Sequence, residues 1–485
     1  MNFIMPIFSV AAPDIFVLCM ALIILMVDVF LPEGKRMITF MLVQATLVVT
    51  FCLTVSQYMN YPSPIITFDG NYIIDKLSII LKMFITAVSV FVFAYSREYV
   101  RSRKIAFGEY FVLGLFCVLG MMIMASAYTF LTIYLGLELM SLSLYAMIAM
   151  QRDSKLATEA AMKYFVMGAF ASGLLLYGIS MVYGATSSIG ISEIGNILLN
   201  ATPNQQIVVV LGLVFILAGV IFKFGAVPFH MWVPDVYDGA PTSMTLFIAS
   251  APKIATFGIL MRILQEALPS AQLQSGHMLI VIAFLSMFFG NVLAISQTNI
   301  KRMLAYSSIA HVGYMLLGVI AGPNSAEGYS AAMFYIATYV IVAVGGFAVI
   351  TILSKSGKEF DQVDDFRGLN ARNPWLAFMM LLLMFSMAGV PPTVGFFAKL
   401  GLIEALVEAH LVWLAAFALL FAIIGAYYYL RIVMLMYFEE PKTADAGRIT
   451  IPLDMSIAIS INGIAVLGLG LLPSTFIDMC RISLA

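Results

Sequence analysis

Charge is what this sequence lacks. Asp, Glu, Lys and Arg make up 11% of its 485 residues, against about 25% in a soluble domain. Apolar residues fill the space, at 62% of the chain with a mean hydropathy of +1.01, which excludes a soluble protein and reads as a polytopic membrane protein. The net charge of −1 and the absence of any long Lys/Arg run exclude a nucleic-acid partner. Cysteine is sparse too: Cys19, Cys52, Cys117 and Cys480 are scattered with no C-x-x-C pair. They read as inert thiols rather than a metal or redox centre. There is no G-x-x-x-x-G-K-[ST] loop, no strand-embedded G-x-G-x-x-G, no H-E-x-x-H and no iron–sulfur spacing. The longest basic connection, 355–373, is too short for a catalytic domain, so the energy source lies in partners or in an ion gradient. Met1 to Ala12 lacks the basic residues of a signal peptide, and the first apolar stretch is expected to remain as a helix.

What is present is a succession of apolar runs. At about 20 residues per span, they predict fourteen helices near 13–31, 37–58, 72–95, 107–125, 128–150, 162–184, 207–236, 241–266, 278–297, 302–321, 330–354, 374–408, 410–438 and 452–474. The seventh and twelfth exceed a simple span and contain helix breakers. No Ser/Gly linker divides the chain. The fold class is all-α.

The basic residues alternate with this count. Lys35 and Arg36; Arg97, Arg101, Arg103 and Lys104; Arg152, Lys155 and Lys163; Lys301 and Arg302; Lys355, Lys358, Arg367 and Arg372; and Arg431, Lys442 and Arg448 follow odd-numbered helices. Connections after helices 2, 4, 6 and 10 carry none. The positive-inside rule puts the odd connections in the cytoplasm and both termini on the periplasmic side. The connection after helix 7, with His230, Asp235 and Asp238, is the exception.

Four ionisable residues, Glu138, Lys223, Lys253 and Lys399, lie deep within apolar runs. Each costs at least ~2.5–3.5 kcal/mol on insertion scales. Glu138 (Leu131-Thr-Ile-Tyr-Leu-Gly-Leu-Glu138) is expected to be paired, protonated or beside water. Lys223 precedes Gly225-Ala-Val-Pro228, where the seventh helix is expected to break. Non-helical backbone at membrane depth survives only against protein or water, as in discontinuous transporter helices. Lys253 follows Pro252 directly, and Lys399 lies beyond Gly389-Val-Pro391-Pro392. Burial disfavours a charged lysine and a nearby carboxylate favours it, so these groups can load and release a proton. The blander alternatives are an ion pair pinning a helix for Glu138 and a snorkelling side chain for Lys223. His311 reads equally as a relay member or a satisfied core histidine. Lys82 reads as a structural pair partner, with a relay member as the alternative, and Asp14, Asp28, Asp454 and Asp478, near helix ends, need no special role.

Both halves carry a broken helix with a Gly-x-x-Pro core, Gly225–Pro228 and Gly389–Pro392, five helices apart. Five is odd, so equivalent helices run in opposite directions, as in inverted repeats. The expected organisation is a single membrane domain over 1–485. Helices 1–3 (1–105) flank a first inverted repeat of helices 4–8 (106–270). A second, helices 9–13 (275–440), follows, and helix 14 (450–485) closes the chain.

The stretch Lys223-Phe-Gly-Ala-Val-Pro-Phe-His-Met-Trp-Val-Pro-Asp235-Val-Tyr-Asp-Gly-Ala-Pro-Thr242 resembles the signature of the antiporter-like membrane subunits of respiratory complex I. Val-Pro-Asp235-Val-Tyr237 with Ala-Pro-Lys253 is similar to the N-type more than to the L- or M-types. Leu304-Ala-Tyr-Ser-Ser-Ile-Ala-His311-Val-Gly-Tyr and Gly395-Phe-Phe-Ala-Lys399 match as well. The resemblance spans essentially the whole chain. It implies a proton-translocating, cofactor-free subunit of an NADH:quinone oxidoreductase in a bacterial inner membrane. NADH, FMN, iron–sulfur clusters and quinone would be held by partner subunits. It also implies M-type, K-type and J-type neighbours, and a mid-membrane axis of Glu138, Lys223, Lys253 and Lys399. In that axis Glu138 sets the charge state of Lys223, Lys253 bridges, and Lys399 passes the proton outward. Two other readings stay open: a subunit of a multi-component sodium/proton antiporter, and a non-transporting scaffold.

Overall fold

The computed structural model describes residues 5–354, 359–441 and 449–484. Lys355, Lys358, Lys442 and Arg448 lie outside the described residues. The chain resolves into two compact units. The first comprises residues 5–93, Ile105–Phe224 and Ala251–Met278; the second comprises Ala94–Lys104, Gly225–Ser250 and the described residues from Leu279 onward.

Along the chain come α1 (Ala12–Phe30), α2 (Met37–Asn60), a hairpin of β1 (Ile65–Thr67) and β2 (Tyr72–Ile74), α3 (Lys76–Ser102), α4 (Phe107–Ser126), α5 (Phe130–Ile148) and α6 (Lys155–Thr186). Then follow a short amphipathic α7 (Ile191–Leu198), α8 (Pro203–Phe224), α9 (Trp232–Gly239), α10 (Thr242–Ile248), α11 (Ala251–Met261), a π-helical turn (Arg262–Ala267) and α12 (Gln272–Ile295). The rest is α13 (Ile300–Ala321), α14 (Gly328–Leu353), one turn of α15 (Leu369–Arg372), α16 (Pro374–Ala388), α17 (Val394–Glu408), α18 (Val412–Phe438), α19 (Leu453–Leu471) and α20 (Ser474–Leu484).

Among the described residues, thirteen helical segments are long and apolar enough to cross a bilayer. The interrupted pair α16–α17 occupies the remaining position of the predicted fourteen. The expected fold, an all-α polytopic membrane protein, is the one observed.

Local chemistry moves several predicted boundaries. The third helix was expected from 72, but Tyr72–Ile74 pairs with Ile65–Thr67 in register Ile65↔Ile74, Ile66↔Ile73 and Thr67↔Tyr72. Asp75 and Ser78 then cap the helix reciprocally (Ser78 N to Asp75 Oδ1, 2.9 Å; Asp75 N to Ser78 Oγ, 3.0 Å), which starts it at Lys76. The sixth helix begins at Lys155 rather than 162, because Ser154 caps the amide of Ala157 at 3.3 Å and adds turns too polar for an apolar window. The predicted seventh helix is two, α8 and α9, and the predicted eighth is interrupted at Ala249–Ser250.

In the first unit α4 packs on α5, α6 on α8, and α11 on both α4 and α8. In the second, α14 is the hub, touching α10, α13, α16, α17, α19 and α20.

Each unit also brings together connections of one parity. In the first, those after predicted helices 2, 4 and 6 join through the bridges Tyr72↔Ala127 and Thr129↔Gly190. Arg262, in the π turn after α11, pairs with Asp75 at 2.7 Å. In the second unit, ends belonging to predicted helices 3, 7, 9 and 11 converge. The Glu359 carboxylate accepts from the Tyr99 hydroxyl, from Arg103 Nη2 at 3.0 Å and from Thr242 Oγ1 at 3.0 Å. Lys301 Nζ donates to the carbonyls of Asp238 (2.6 Å) and Ala240 (3.2 Å). A cation therefore closes the C-terminus of α9, and a carboxylate with a phenol closes the N-terminus of α10, each complementing its helix dipole. This accounts for the connection after helix 7 lacking its own basic residues. Arg302 reaches Asp235 at 3.0 Å from the next connection, and Lys301 does the rest.

Burial alone would raise the Glu359 carboxyl, but Lys301, the Tyr99 hydroxyl and Arg103 outweigh it and hold the group below the usual carboxylate range. A depressed carboxylate contributes its full stabilisation above its unfolded pKa of about 4.3 and loses it as pH falls through the folded value. Glu359→Gln, which removes the charge, is expected to weaken the α9–α10 junction by ~1–3 kcal/mol. Amide hydrogen exchange at Thr242 should accelerate in the variant at neutral pH, and in the native protein only below about pH 4. Exchange that is unchanged in the variant would exclude the clamp.

Candidate functional site

In the first unit the ionisable residues gather around one face of α5. Glu138, Ser141 and Tyr145 stand at i, i+3 and i+7 on that helix, and so lie along one side of it. The Glu138 carboxylate accepts a hydrogen bond from the Ser172 hydroxyl of α6. Lys223, 7% exposed, is the penultimate residue of α8. Its ammonium donates to Ser141 Oγ at 2.8 Å and to Tyr145 Oη at 3.4 Å, and it lies 5.8 Å from the Tyr145 ring centroid. The Ser141 hydroxyl in turn donates to the carbonyl of Leu137 at 2.6 Å. Among the described residues no ion pair joins Glu138 to Lys223. The lysine rests on neutral hydroxyl oxygens.

The seventh helix breaks where Gly225-Ala-Val-Pro228 predicts: α8 stops one residue beyond Lys223, and Gly225 adopts φ +77°, a conformation that costs other residues about 1–2 kcal/mol. The freed backbone beyond the stop is met by protein: Val227 N donates to Ser286 Oγ at 3.0 Å. Glu138, expected to be paired, protonated or beside water, is half-buried. It shares a stripe of α5 with Leu131, Leu135 and Leu142, all exposed, spaced i, i+4, i+7 and i+11.

Lys253 lies in α11 just past the interruption at Ala249–Ser250 and is 2% exposed. Every residue of α11 is buried, and the helix packs on α8, which bears Lys223.

In the second unit Lys399, on α17, reaches back across the broken helix. Its Nζ donates to the carbonyls of Met387 and Ala388, both at 2.9 Å. These are the last two residues of α16, which Gly389 ends with φ +85°. The ammonium thus sits on the negative end of a half-helix. A small cavity lies beside it, lined by Lys399, His311, Tyr335, Thr338, Tyr339 and Ser386.

His311 is hydrogen bonded through both ring nitrogens, Nδ1 with Tyr335 Oη at 2.7 Å and Nε2 with Tyr429 Oη at 3.0 Å. From Tyr429 the network runs to Ser307 and to Tyr428 (3.1 Å), and from Tyr428 to Asn291 Oδ1 (3.1 Å). Lys399 and His311 therefore face one cavity. Sequence reasoning named those two but missed Ser141, Tyr145, Ser172, Tyr335 and Tyr429. For the α5 pair a signal was available, since they follow Glu138 at helical spacing. Among the described residues, no group of three His, Cys, Asp or Glu side chains could hold a metal ion.

Residues 127–425 match the family model described as NADH:quinone oxidoreductase/Mrp antiporter, TM. NADH-quinone oxidoreductase subunit N of Thiobacillus denitrificans is 54% identical over 473 residues, covering 98% of this chain and 96% of its own. The chain belongs to the subunit N family of NADH-quinone oxidoreductase. The subunit N protein of Thioalkalivibrio sulfidiphilus is 52% identical, with coverage of 99% and 98%. Among solved structures, a chain of respiratory complex I from Thermus thermophilus with bound aureothin superposes with a TM-score of 0.82 at 29% identity, covering 96% of this chain and 98% of that one. A chain of the Mrp complex from Dietzia superposes with a TM-score of 0.88 over 99% and 97%. At 19% identity it shares the fold alone. The segment matched to the family model contains Glu138, Lys223, Lys253, His311 and Lys399, and leaves out α1 to α4, α19 and α20.

Proposed function

We propose that this chain moves protons across a bacterial inner membrane as a membrane-arm subunit of NADH:quinone oxidoreductase, driven by quinone reduction elsewhere in the complex. The observation that carries the reading is the setting of Lys223. A buried ammonium at the end of an interrupted helix has hydroxyl acceptors and, among the described residues, no fixed counter-ion, so it can give up its proton without stranding a partner charge.

In the first unit Glu138, Lys223 and Lys253 form the relay. A charged Glu138 favours the ammonium form of Lys223, and a neutral Glu138 releases that hold. The half-exposed face of Glu138 supports contact with a neighbouring membrane subunit, because a bare carboxylate against lipid is costly. In the second unit Lys399 holds the proton at the α16 terminus, and His311 with its tyrosines is the adjoining member of the path that releases it outward. NADH, FMN, iron–sulfur clusters and quinone belong to partner subunits, and the neighbours in the membrane are the M-, K- and J-type subunits. Helices 4–8 and 9–13 act as inverted repeats, and both termini face the periplasm.

The test is quinone reduction by NADH with proton uptake in sealed vesicles. Glu138→Gln is expected to leave the complex assembled and its quinone reduction in detergent unchanged, while proton uptake in vesicles falls several-fold. Uptake at the native rate would leave only a scaffold role.

A further inference from the structure

The first three spans hold an ionisable group that this relay does not use. Lys82 of α3 is 1% exposed and Asp14 of α1 is 6% exposed. Lys82 Nζ donates to Asp14 Oδ2 at 2.7 Å and to Tyr72 Oη of β2 at 2.6 Å; Tyr72 Oη donates to the same Oδ2 at 2.7 Å. Three titratable side chains from three elements thus close a triangle, and both donors converge on one carboxylate oxygen. The other, Asp14 Oδ1, is buried with no hydrogen-bond partner among the described residues. Sequence reading took Lys82 for a pair partner and gave Asp14 no role; the structure corrects the second point. The triangle also lies outside the segment matched to the family model.

A pair that served only to pin α1 against α3 gains nothing from this arrangement. Buried ion pairs add little stability over apolar side chains of similar size, and an unsatisfied carboxylate oxygen makes the balance worse. The open lone pairs of Oδ1 are what a proton would take. Asp14 is the third residue of α1, about 3 Å along it, and Lys82 is the seventh of α3, about 9 Å along it. Asp14 is thus within a few ångströms, and Lys82 less than two turns, of the end where the even-numbered connections meet. The charged groups of that end are Asp75, at the cap of α3, with Arg262 and Glu266, which pair with one another, and Lys76, the first residue of α3. Arg262 and Lys76 offset Asp75 and Glu266, so these groups set no net positive charge against a proton arriving at Asp14.

We propose that Asp14, Lys82 and Tyr72 form a second proton-holding site, separate from the Glu138–Lys223 relay and supplied from the side of the even-numbered connections. On loading, a hydronium ion in the water of that side breaks one O–H bond, leaving neutral water, and an O–H bond forms at Asp14 Oδ1. The lysine keeps its own proton, held by Tyr72 and the carboxyl, and the site goes from neutral to singly positive. Unloading reverses the step, with no other reactant.

The test is pH-difference infrared spectroscopy of the assembled complex, reading the carboxyl C=O stretch. A reversible band is expected in the native protein, shifted in Asp14→Glu and lost in Asp14→Asn. It should also be lost in the double variant Asp14→Leu with Lys82→Met, whose apolar pair keeps the helices packed should the single change prevent assembly. Glu138→Gln should retain the band, so the site stands or falls apart from the relay. A double-variant spectrum that superimposes on the native one would overturn the proposal.

Discussion

Lys223→Ala is expected to slow proton uptake by vesicles carrying the complex roughly tenfold or more, equivalent to ~1.4 kcal/mol on the limiting transfer, without loss of assembled complex. Assembly should survive because the groups abandoned are hydroxyls. Ser141 still donates to the Leu137 carbonyl, and a water can replace the ammonium against Ser141 and Tyr145. The decisive companion is Lys223→Arg. A guanidinium preserves the charge and can donate to both hydroxyls, yet it does not deprotonate in proteins. If Lys223 acts by loading and releasing a proton, arginine should be as defective as alanine. If its charge merely holds α8 to α5, arginine should pump normally and alanine should fail to assemble. Proton uptake by vesicles, scored with the amount of assembled complex, separates the two, and native uptake in the arginine variant would end the relay reading.

The parts of this molecule that could be read from its sequence are those with a large, local energetic signature. Spans were legible because each needs a long apolar run, and Lys223, Lys253 and Lys399 stood out because lysines in such runs are expensive. The breaks at Gly225 and Gly389 were legible from glycine and proline spacing. The hairpin was not, since three-residue strands flush with an apolar run look like more helix. The Asp14–Lys82 contact was invisible for a different reason. Its partners are 68 residues apart, and an aspartate three residues into a helix usually faces water. Ser141 and Tyr145 could be found only through their helical spacing from Glu138, and Ser172, Tyr335 and Tyr429 carry no signature, because hydroxyl side chains are tolerated anywhere in a membrane helix that offers a carbonyl. The half-exposure of Glu138 could not be read either, since hydropathy does not separate a face that meets lipid from one that meets another subunit.

The interrupted helix of the second unit yields the other large effect. Gly395→Ala is expected to remove most of the assembled complex, whereas Gly401→Ala, two turns along the same α17, is expected to be silent. A Cβ at Gly395 would stand 1.9 Å from the carbonyl oxygen of Ser386 and 2.7 Å from its carbon. Backbone cannot swing aside as a side-chain tip can, so α16 and α17 would have to part. That movement also strains the bond from Gly395 N to Ser386 Oγ (3.1 Å) and draws the Lys399 ammonium off the Met387 and Ala388 carbonyls. Overpacking of this kind costs typically 1–3 kcal/mol, and the lost hydrogen bonds add about 1 kcal/mol each. At Gly401 the nearest atom to a new Cβ is Ala331 Cβ at 3.9 Å, an ordinary contact, and alanine favours the helix by about 1 kcal/mol. The amount of intact complex in membranes carrying each variant is the measurement. Equal amounts would mean that the two half-helices are free to separate, and with that the case for Lys399 as a fixed terminal proton holder would be lost.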